Sequence, residues 1–360
     1  MPANHSAVST VVWARLPTEL TREIILYLAA TDIKTARILR LVSRYTNVWV
    51  LPLLFRTLTF TSPDHITRFA TTLLPKRKLH IPALKSNLHT IPRPLSSYSI
   101  ESLALVVNTR LPSVETALAN VAPAFARLKN LVITGQNLSA NAHWLRQHPI
   151  HPKNMMILHF GAPHLVNYKE PLFQRVTHLY TSTLAGHRNS FVTDLPRLTH
   201  LAVHTRLQHA SEYMPVIADA LLRLLEMTPQ LQLFVFVLNS YDPQDEKLKE
   251  WMRVLRRCLR DKRFIALPYF RHPRMEWDRI LKGKDSVWDR ALAWRAMQQR
   301  GNLSEAARYT AELLKELQME NVLLMERKCI VDWEIDLVQR EGYVPYEGDP
   351  TERREAVMLL

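Results

Sequence analysis

Apolar residues near the N-terminus recur at four-residue spacing. Leu20, Ile24 and Leu28 follow one another in this way, which places them on one face of a helix. Pro17 suits the first turn of that helix, where its missing N–H is not needed. Glu19 then lies near the positive helix N-terminus, where a carboxylate is favourable. The pattern predicts a short helix that begins near Pro17.

Two further short helices are expected to follow. Thr31 or Asp32 can cap a second helix from about residue 33 to 41. Ser43 can interrupt the helical backbone or cap a third helix. Pro52 is expected to end the third helix, because the residue before a proline avoids the helical region. Three short helices within about 45 residues bury little surface, and a unit of that size is usually stabilised by a partner.

The middle of the chain carries an irregular repeat. Its copies fit the spacing Leu-x-x-Leu-x-Leu-x-x-Asn-x-Leu of leucine-rich repeats, and they start 28, 27, 21, 22 and 33 residues apart. The residues assigned to repeat positions are Ile100, Leu103, Leu105 and Asn108; Leu128, Leu131, Ile133 and Leu138, with Asn137 one place late; Met155, Leu158, Phe160 and Leu165; Val176 and Leu179; Leu198, Leu201 and Val203; and Leu231, Phe234, Phe236 and Asn239. A further strand and an earlier one are predicted from Phe264, Leu267 and Tyr269 and from Leu79, Ile81 and Leu84.

The alternation within each copy predicts a short strand, and the apolar run between copies predicts a helix. Stacked units of this kind form a curved solenoid with parallel strands on its concave side. The alternative is a generic α/β domain with coincident apolar strings, because hydrophobic residues make up 47% of the chain. Six copies in order favour the solenoid. The expected fold is therefore mixed α/β, with three N-terminal helices, an irregular leucine-rich-repeat-like solenoid of parallel strands, and a helical C-terminal cap.

Strand positions between the fixed apolar sites of such a solenoid face the concavity. Five residues are expected on this surface, namely His159, His178, Tyr180, His200 and His204. We interpret this row as a candidate target-binding surface. The alternative is a scattered set of exposed strand residues, because surface histidines are common.

A basic helix face is predicted after the repeats. Residues 247–264 have the period of an amphipathic helix, with Arg253, Arg256, Arg257 and Arg260 on the side opposite the apolar residues. This face can dock a phosphate or an acidic peptide. It is alternatively a solvated helix face, since acidic residues lie nearby in the sequence.

Two more helices are expected over residues 285–300 and 305–340, as an antiparallel pair that caps the end of the solenoid. The chain then divides into a flexible N-terminus (1–12), a helical unit (13–60), the repeat region (61–270), a helical C-terminal region (271–344) and a tail (345–360).

Charge is spread unevenly along the chain. Its 360 residues include 47 Lys and Arg against 33 Asp and Glu, a net charge of +14, and residues 1–150 hold 17 of these cations against 6 acids. Such a field favours acidic partners, although no nucleic-acid-binding motif accompanies it. Only Cys258 and Cys329 are present, which indicates a reducing compartment such as the cytoplasm or nucleus. No apolar run approaches the ~18 residues of a membrane span, and no signal peptide is expected.

The sequence holds no cluster typical of catalysis. No Gly-x-Ser-x-Gly elbow or phosphate-binding glycine loop is present. Two closely spaced histidine pairs, His148 with His151 and His200 with His204, lack the further ligands that a closed zinc site requires. Cys258 is expected to be a packed thiol, since free cysteines are usually buried. We therefore expect a non-enzymatic chain without a cofactor or a metal.

Residues 16–58 resemble an F-box. The resemblance rests on Leu16-Pro17-Thr18-Glu19-Leu20, Glu23-Ile24, Tyr27-Leu28, Asp32-Ile33, Leu39-Arg40-Leu41-Val42-Ser43-Arg44 and Leu51-Pro52-Leu53-Leu54-Phe55-Arg56, of which the closing Pro-Leu-Leu-Phe-Arg resembles a fungal branch of the family. It implies that the first helix and the loop into the second dock on a Skp-type adaptor. The adaptor contacts that it implies are Leu16, Pro17, Leu20, Ile24, Leu28 and Ile33, with Val42 and Trp49 supporting them.

The resemblance further implies a substrate receptor that links a target protein to a cullin–RING ubiquitin ligase. The sequence does not identify the target protein. The basic charge of the chain favours an acidic or phosphorylated target. One alternative is a non-catalytic leucine-rich-repeat scaffold whose F-box-like helices only cap it. Another is a basic protein that associates with nucleic acid.

Overall fold

The computed structural model describes residues 16–31, 33–74, 99–107, 109, 111–158, 166–181, 194–206, 214–239, 246–268, 273–281 and 285–299. These residues form a mixed α/β fold that contains an eight-stranded parallel sheet, as predicted at the level of fold class. Predictions for Asn108, for Phe160 and Leu165, for Tyr269, for the strand near Leu79, and for residues 1–12 and 301–360 lie outside the described residues.

Three helices form a bundle at the N-terminal end of the described chain: α1 (Thr18–Thr31), α2 (Ile33–Val42) and α3 (Arg44–Arg56). Their shared core is small, and its buried side chains are Ile25, Ala29, Ala36 and Val50. Ser43 caps α3 as predicted. Its hydroxyl oxygen accepts a hydrogen bond from the backbone N–H of Thr46 at 3.1 Å, and the Thr46 hydroxyl oxygen accepts one from the Ser43 N–H at 2.9 Å. This reciprocal pair satisfies N–H groups that would otherwise lack partners at the helix start.

The prediction that Pro52 ends the third helix is wrong, because Pro52 lies inside α3, which continues to Arg56. Tertiary packing supplies the reason. Leu53 and Leu54 pack against the small core of the bundle, while Phe55 packs against the main core beneath the sheet. These contacts favour helical backbone beyond the proline. They offset the cost of the backbone hydrogen bond that the proline, which has no N–H, cannot form.

The strands follow one another across the sheet in chain order, and every neighbouring pair is parallel. They are β1 (Thr57–Phe60), β2 (Ser102–Leu105), β3 (Asn130–Thr134), β4 (Asn154–Leu158), β5 (His178–Thr181), β6 (His200–Arg206), β7 (Leu233–Asn239) and β8 (Phe264–Pro268). One row of paired residues crosses the whole sheet, formed by Leu58, Leu103, Leu131, Met155, Leu179, Leu201, Phe234 and Phe264. The residues predicted at the fourth position of five copies, namely Leu103, Leu131, Leu179, Leu201 and Phe234, are therefore equivalent in space.

Two of the predicted copies are in the wrong register. The repeat pattern predicts Met155 as the first position of its copy, but Met155 pairs with Leu131 and Leu179 and therefore occupies the fourth position, as they do. Phe264 is displaced in the same way, since it pairs with Phe234. All of β4 except its first residue is buried, so both sheet faces are apolar there and alternation could not fix the register. Strand β1 was not predicted, and it pairs with β2 directly after α3.

One face of the sheet is covered by the helices between the strands. These are α4 (Pro63–Leu73), α5 (Pro112–Val121), α6 (Gly135–Ala140), α7 (Ala142–Gln147), α8 (Met214–Met227), α9 (Glu246–Val254) and, within the described residues, short 3₁₀ helices at Ala122–Phe125, Pro171–Phe173 and Cys258–Arg260. Their apolar side chains and those of the strands form the main core, which includes Leu118, Phe125, Trp144, Leu221 and Trp251. Burial of this continuous core is the main stabilising contribution to the fold.

The opposite face of the sheet carries two C-terminal helices, α10 (Pro273–Leu281) and α11 (Val287–Gln299). Trp277, Val287 and Ala291 form a second buried cluster with strand residues such as Val235 and Ile265. The helix predicted over residues 285–300 corresponds to α11 and is expected from the sequence to cap the end of the solenoid, but α11 contacts β6, β7 and β8 across this face. Its predicted partner over residues 305–340 lies outside the described residues. The apolar strand residues there explain the difference, since a buried parallel sheet requires cover on both faces.

Candidate interaction surface

Helix α1 is apolar on two sides. Ile25 and Ala29 face the bundle core and are buried, whereas Leu20, Ile24 and Leu28 are 48%, 38% and 40% exposed. Because residues four apart are neighbours along a helix surface, these three side chains form one continuous outward stripe. The apolar spacing predicted from the sequence is therefore correct, but the stripe faces away from the core of the described chain.

Helices α2 and α3 extend this surface with exposed Ile38, Leu41, Val42, Tyr45 and Val48. Together with Tyr27 and the α1 stripe, nine of the fourteen large apolar side chains that are exposed in the described residues lie between positions 20 and 48. Scattered exposed apolar residues are normal, but such a concentration marks an interaction surface. We call these nine residues the bundle surface.

The residues implied as adaptor contacts have different environments. Leu20, Ile24, Leu28, Pro17 and Val42 are exposed, while Leu16 is half-buried. Trp49 is also half-buried, packs against the small core of the bundle, and lies beside the Tyr45 ring with centroids 6.3 Å apart. Ile33 begins α2, and its side chain is outside the described residues.

Sequence reasoning singled out Val42 on α2 but not the neighbouring Ile38 and Leu41. A signal was present, because Ile38, Leu41 and Val42 recur at the spacing of one helix face. This spacing is the same for an apolar face that packs inward and for one that packs on a partner. Three exposed cations of α2, namely Lys34, Arg37 and Arg40, lie near the bundle surface. The surface can therefore bind an apolar partner with charged groups at its edge.

The described part of the predicted histidine row lies on the sheet face beneath α11. His178 and His200 are paired on adjacent strands, and their rings are stacked with centroids 4.1 Å apart. The Trp288 ring contacts both in edge-to-face geometry, at 5.5 Å and 5.7 Å between centroids. The row is therefore covered at this position by a residue of the C-terminal helices.

Each stacked histidine is held by the threonine before it. The Thr177 hydroxyl donates to the Lys153 carbonyl at 3.2 Å and lies 2.9 Å from Nδ1 of His178. Because that hydroxyl hydrogen is used, the His178 Nδ1–H donates to the hydroxyl oxygen. Thr199 and His200 repeat this arrangement. Burial, and then the neighbouring His200, lower the pKa of His178 to about 4, and burial lowers the pKa of His200, so both rings are neutral at neutral pH.

Tyr180 and His204 continue the row and are buried, at 4% and 9% exposure. Their rings are stacked, with centroids 6.2 Å apart. Burial, and then the nearby Glu276 carboxylate, raise the pKa of Tyr180, so its hydroxyl stays neutral. Tyr180 belongs to the buried cluster that contains Trp277 of α10 and Ala291 of α11, so these helices would have to move away from the sheet before a target could contact it. His159 lies outside the described residues.

The described residues contain two further candidate sites, the Cys258 thiol and a surface cavity. Burial raises the pKa of the Cys258 thiol to about 11, so the thiol is protonated at neutral pH and is not a ready nucleophile. A shallow cavity of about 210 Å³ is lined by Leu138, Leu145 and Val166 and by the ion pair of Arg146 with Glu170. Within the described residues, no three His, Cys, Asp or Glu side chains are grouped as a metal site would require.

Comparison with known proteins does not assign a family. No protein-family model matches this sequence, and no curated protein is significantly similar to it. Among the described helices, none has the length and apolar character that crossing a membrane requires. The geometry of the bundle surface and of the sheet is therefore the main structural basis for a functional proposal.

Proposed function

We propose that this chain is an F-box substrate receptor, which links a target protein to a cullin–RING ubiquitin ligase through a Skp-type adaptor. The observation that carries the proposal is the outward stripe of Leu20, Ile24 and Leu28 on α1. These residues are among those implied as adaptor contacts by the sequence resemblance, and their exposure leaves them available to a partner. Burial of one large aliphatic side chain contributes roughly 1.5–3 kcal/mol, so a few such contacts are enough for stable docking.

We also infer that the parallel sheet belongs to an irregular leucine-rich-repeat-like solenoid. The support is the row of paired residues at positions 103, 131, 155, 179, 201, 234 and 264, whose spacings are 28, 24, 24, 22, 33 and 30 residues. The first four spacings fall within the leucine-rich-repeat period. The last two are longer because α8 and α9 lie between the strands.

The proposed mechanism is proximity. The bundle would bind the adaptor while the remainder of the chain holds a target close to the ubiquitin-charged partner of the ligase, which raises the effective concentration of the reacting groups. The chain itself makes and breaks no bond in this proposal, and it uses no cofactor.

Co-purification of the full chain with a Skp-type adaptor and cullin tests the proposal. The variant Leu20→Asp plus Ile24→Asp puts two charges into the exposed stripe and is expected to abolish adaptor recovery. A matched control is Val216→Asp plus Met227→Asp, which changes two exposed apolar residues of α8 and should leave recovery unchanged. Equal recovery with both variants would contradict the proposal.

Two further results separate the alternatives. A scaffold would recover the adaptor and cullin but would not promote ubiquitination of any co-purified protein in a reconstituted ligase reaction. A nucleic-acid-associated protein would retain nucleic acid that is released by salt, and it would recover no adaptor.

A further inference from the structure

Helix α9 and the turns after it have two opposed faces. Trp251, Leu255 and Cys258 are buried against the main core, whereas Arg253, Arg256, Arg257 and Arg260 are exposed. The backbone hydrogen bonds from Leu255 to Trp251 and from Leu259 to Leu255 keep the chain helical past the end of α9. The four arginines therefore follow one another on a single outward face, at the helical spacing i, i+3, i+4 and i+7. With the exposed Lys262, they form what we call the basic ridge.

Most of the charge of the basic ridge has no ion-pair partner among the described residues. Within the described chain, Asp219 is the acid that pairs with the ridge. Its Oδ1 lies 3.4 Å from Nη1 of Arg257, and both side chains are mostly exposed. Such an exposed pair is weak. Arg253, Arg256, Arg260 and Lys262 form no ion pair with a described residue. The ridge therefore presents several cations that a partner can contact.

The neighbouring Asp261 does not offset this charge, because Arg263 neutralises it. The Arg263 guanidinium donates to the Asp261 carboxylate at 2.7 Å, and hydrogen bonds from Arg263 lower the pKa of Asp261. The same guanidinium donates to the carbonyls of Leu225 and Thr228, both at 2.8 Å, at the C-terminal end of α8. Arg263 therefore has a structural role, and the ridge cations do not share it.

The side chains around the basic ridge favour a polypeptide over a nucleic acid. Single-stranded nucleic acids are usually held by exposed aromatic side chains on which bases stack. The aromatic residues of this segment, Trp251 and Phe264, are buried. Leu259 is instead exposed between the arginines, and an aliphatic side chain can contact an apolar residue of a peptide.

We propose that the basic ridge binds an acidic polypeptide segment. Arginine is well suited to this, since its planar guanidinium pairs with carboxylates through two parallel hydrogen bonds. From Arg253 to Arg260 the ridge extends roughly 10 Å along the helix, which matches about three residues of an extended chain. Binding of such a segment to the ridge does not depend on the proposed function. The assignment of the segment to a ubiquitination target does rest on the proposed function.

Fluorescence anisotropy of the full chain with a short fluorescein-labelled peptide of Glu and Leu tests this inference. The same peptide with Gln in place of Glu, a phosphoserine-containing peptide and a single-stranded oligonucleotide serve as further probes. The Glu peptide is expected to bind, to be released as the salt concentration rises, and to bind more tightly than the Gln peptide. Tighter binding of the phosphoserine peptide would identify phosphate as the preferred acid on the same polypeptide ligand.

Charge reversal separates the ridge from the overall charge of the chain. Arg256→Glu plus Arg260→Glu is expected to weaken binding of the Glu peptide by about tenfold or more, and Arg256→Gln plus Arg260→Gln by less. The matched control is Arg175→Glu plus Arg197→Glu, which reverses two exposed arginines in turns elsewhere in the sequence and should change affinity little.

Three outcomes would overturn the inference: equal loss of binding in the ridge and control variants, no binding of either acidic peptide, or preference for the oligonucleotide. Adaptor recovery by the Arg256→Glu plus Arg260→Glu variant distinguishes failure of this inference from failure of the proposed function. The variant should recover as much adaptor as the unmodified chain, because the basic ridge and the bundle surface are different parts of the structure. Far-UV circular dichroism checks that each variant is folded.

Discussion

At the scale of single residues, Asn137 illustrates what a sequence pattern can and cannot explain. It stands one place late for the asparagine of its repeat copy, and it is buried at 1% exposure at the start of α6. Its amide nitrogen donates to the carbonyls of Leu105 and Val107 at 3.1 Å and 2.6 Å, and its amide oxygen accepts from the Thr109 N–H at 3.2 Å. The side chain thus satisfies backbone groups at the end of β2 and just beyond it.

The stacked histidines lead to a prediction about pH. The pKa of His178 is about 4 in the folded protein and about 6.5 in an unfolded chain. Between these two values the unfolded chain binds a proton that the folded protein does not, so the free energy of unfolding falls as the pH is lowered from 6.5 to 4. We expect His178 to account for about 1–2 kcal/mol of this fall, after discounting for its partly exposed ring.

Urea unfolding at several pH values checks this expectation. In a His178→Phe variant, the aromatic ring can still stack on His200 but cannot titrate, so the free energy of unfolding should fall less over the same range. Carboxylates such as Glu101, whose pKa is also lowered, remain in both proteins and cancel in the comparison. Parallel stability curves for the two proteins would contradict the role assigned to His178.

At the scale of elements, local signals predicted where several helices begin better than where they end. Ser43 precedes α3 as predicted, because its capping hydrogen bonds are local. Pro52 did not end α3, because contacts of the residues after it extend to two separate cores. The packing of α10 and α11 on the sheet was likewise unpredictable from their own sequence, since an apolar helix face does not specify its partner.

The contact between α10 and α11 includes a buried ion pair. Arg290 donates to the Glu276 carboxylate at 2.7 Å, and the two side chains are 2% and 1% exposed. Removal of one charge leaves the other buried, so Glu276→Leu alone should lower the free energy of unfolding by about 3–5 kcal/mol. The double variant Glu276→Leu plus Arg290→Met removes both charges and should be more stable than the single variant.

Thermal and urea unfolding of the two variants and of Arg290→Met alone complete a double-mutant cycle. The expected sign is a large favourable coupling between the two positions. Strictly additive losses would mean that the ion pair does not couple α10 to α11.

At the scale of the whole molecule, stability is expected to be uneven. The small core of the bundle has four buried side chains, whereas the sheet is covered on both faces by larger clusters. Local opening is easiest where few apolar contacts must be broken. Backbone amides of α1 and α2 should therefore exchange with deuterium faster than those of β3–β6.

Hydrogen exchange followed by mass spectrometry measures this difference. Binding of a Skp-type adaptor should slow exchange in α1 and α2 and leave the central strands unchanged. The Leu20→Asp plus Ile24→Asp variant is a control that should show no such slowing. A bundle that exchanges as slowly as the central strands in the isolated chain would contradict the uneven stability.

Features that depend only on neighbouring residues can be predicted from the amino-acid sequence. The helical spacing of Leu20, Ile24 and Leu28, the cap at Ser43 and most strand positions follow from local periodicity and capping chemistry. Which apolar face remains exposed, how the mostly buried strand β4 is registered and where α10 and α11 pack depend on contacts between distant parts of the chain. The physical reason is that apolar burial is non-directional. A pattern identifies a face that requires cover, but the arrangement of distant segments decides what covers it.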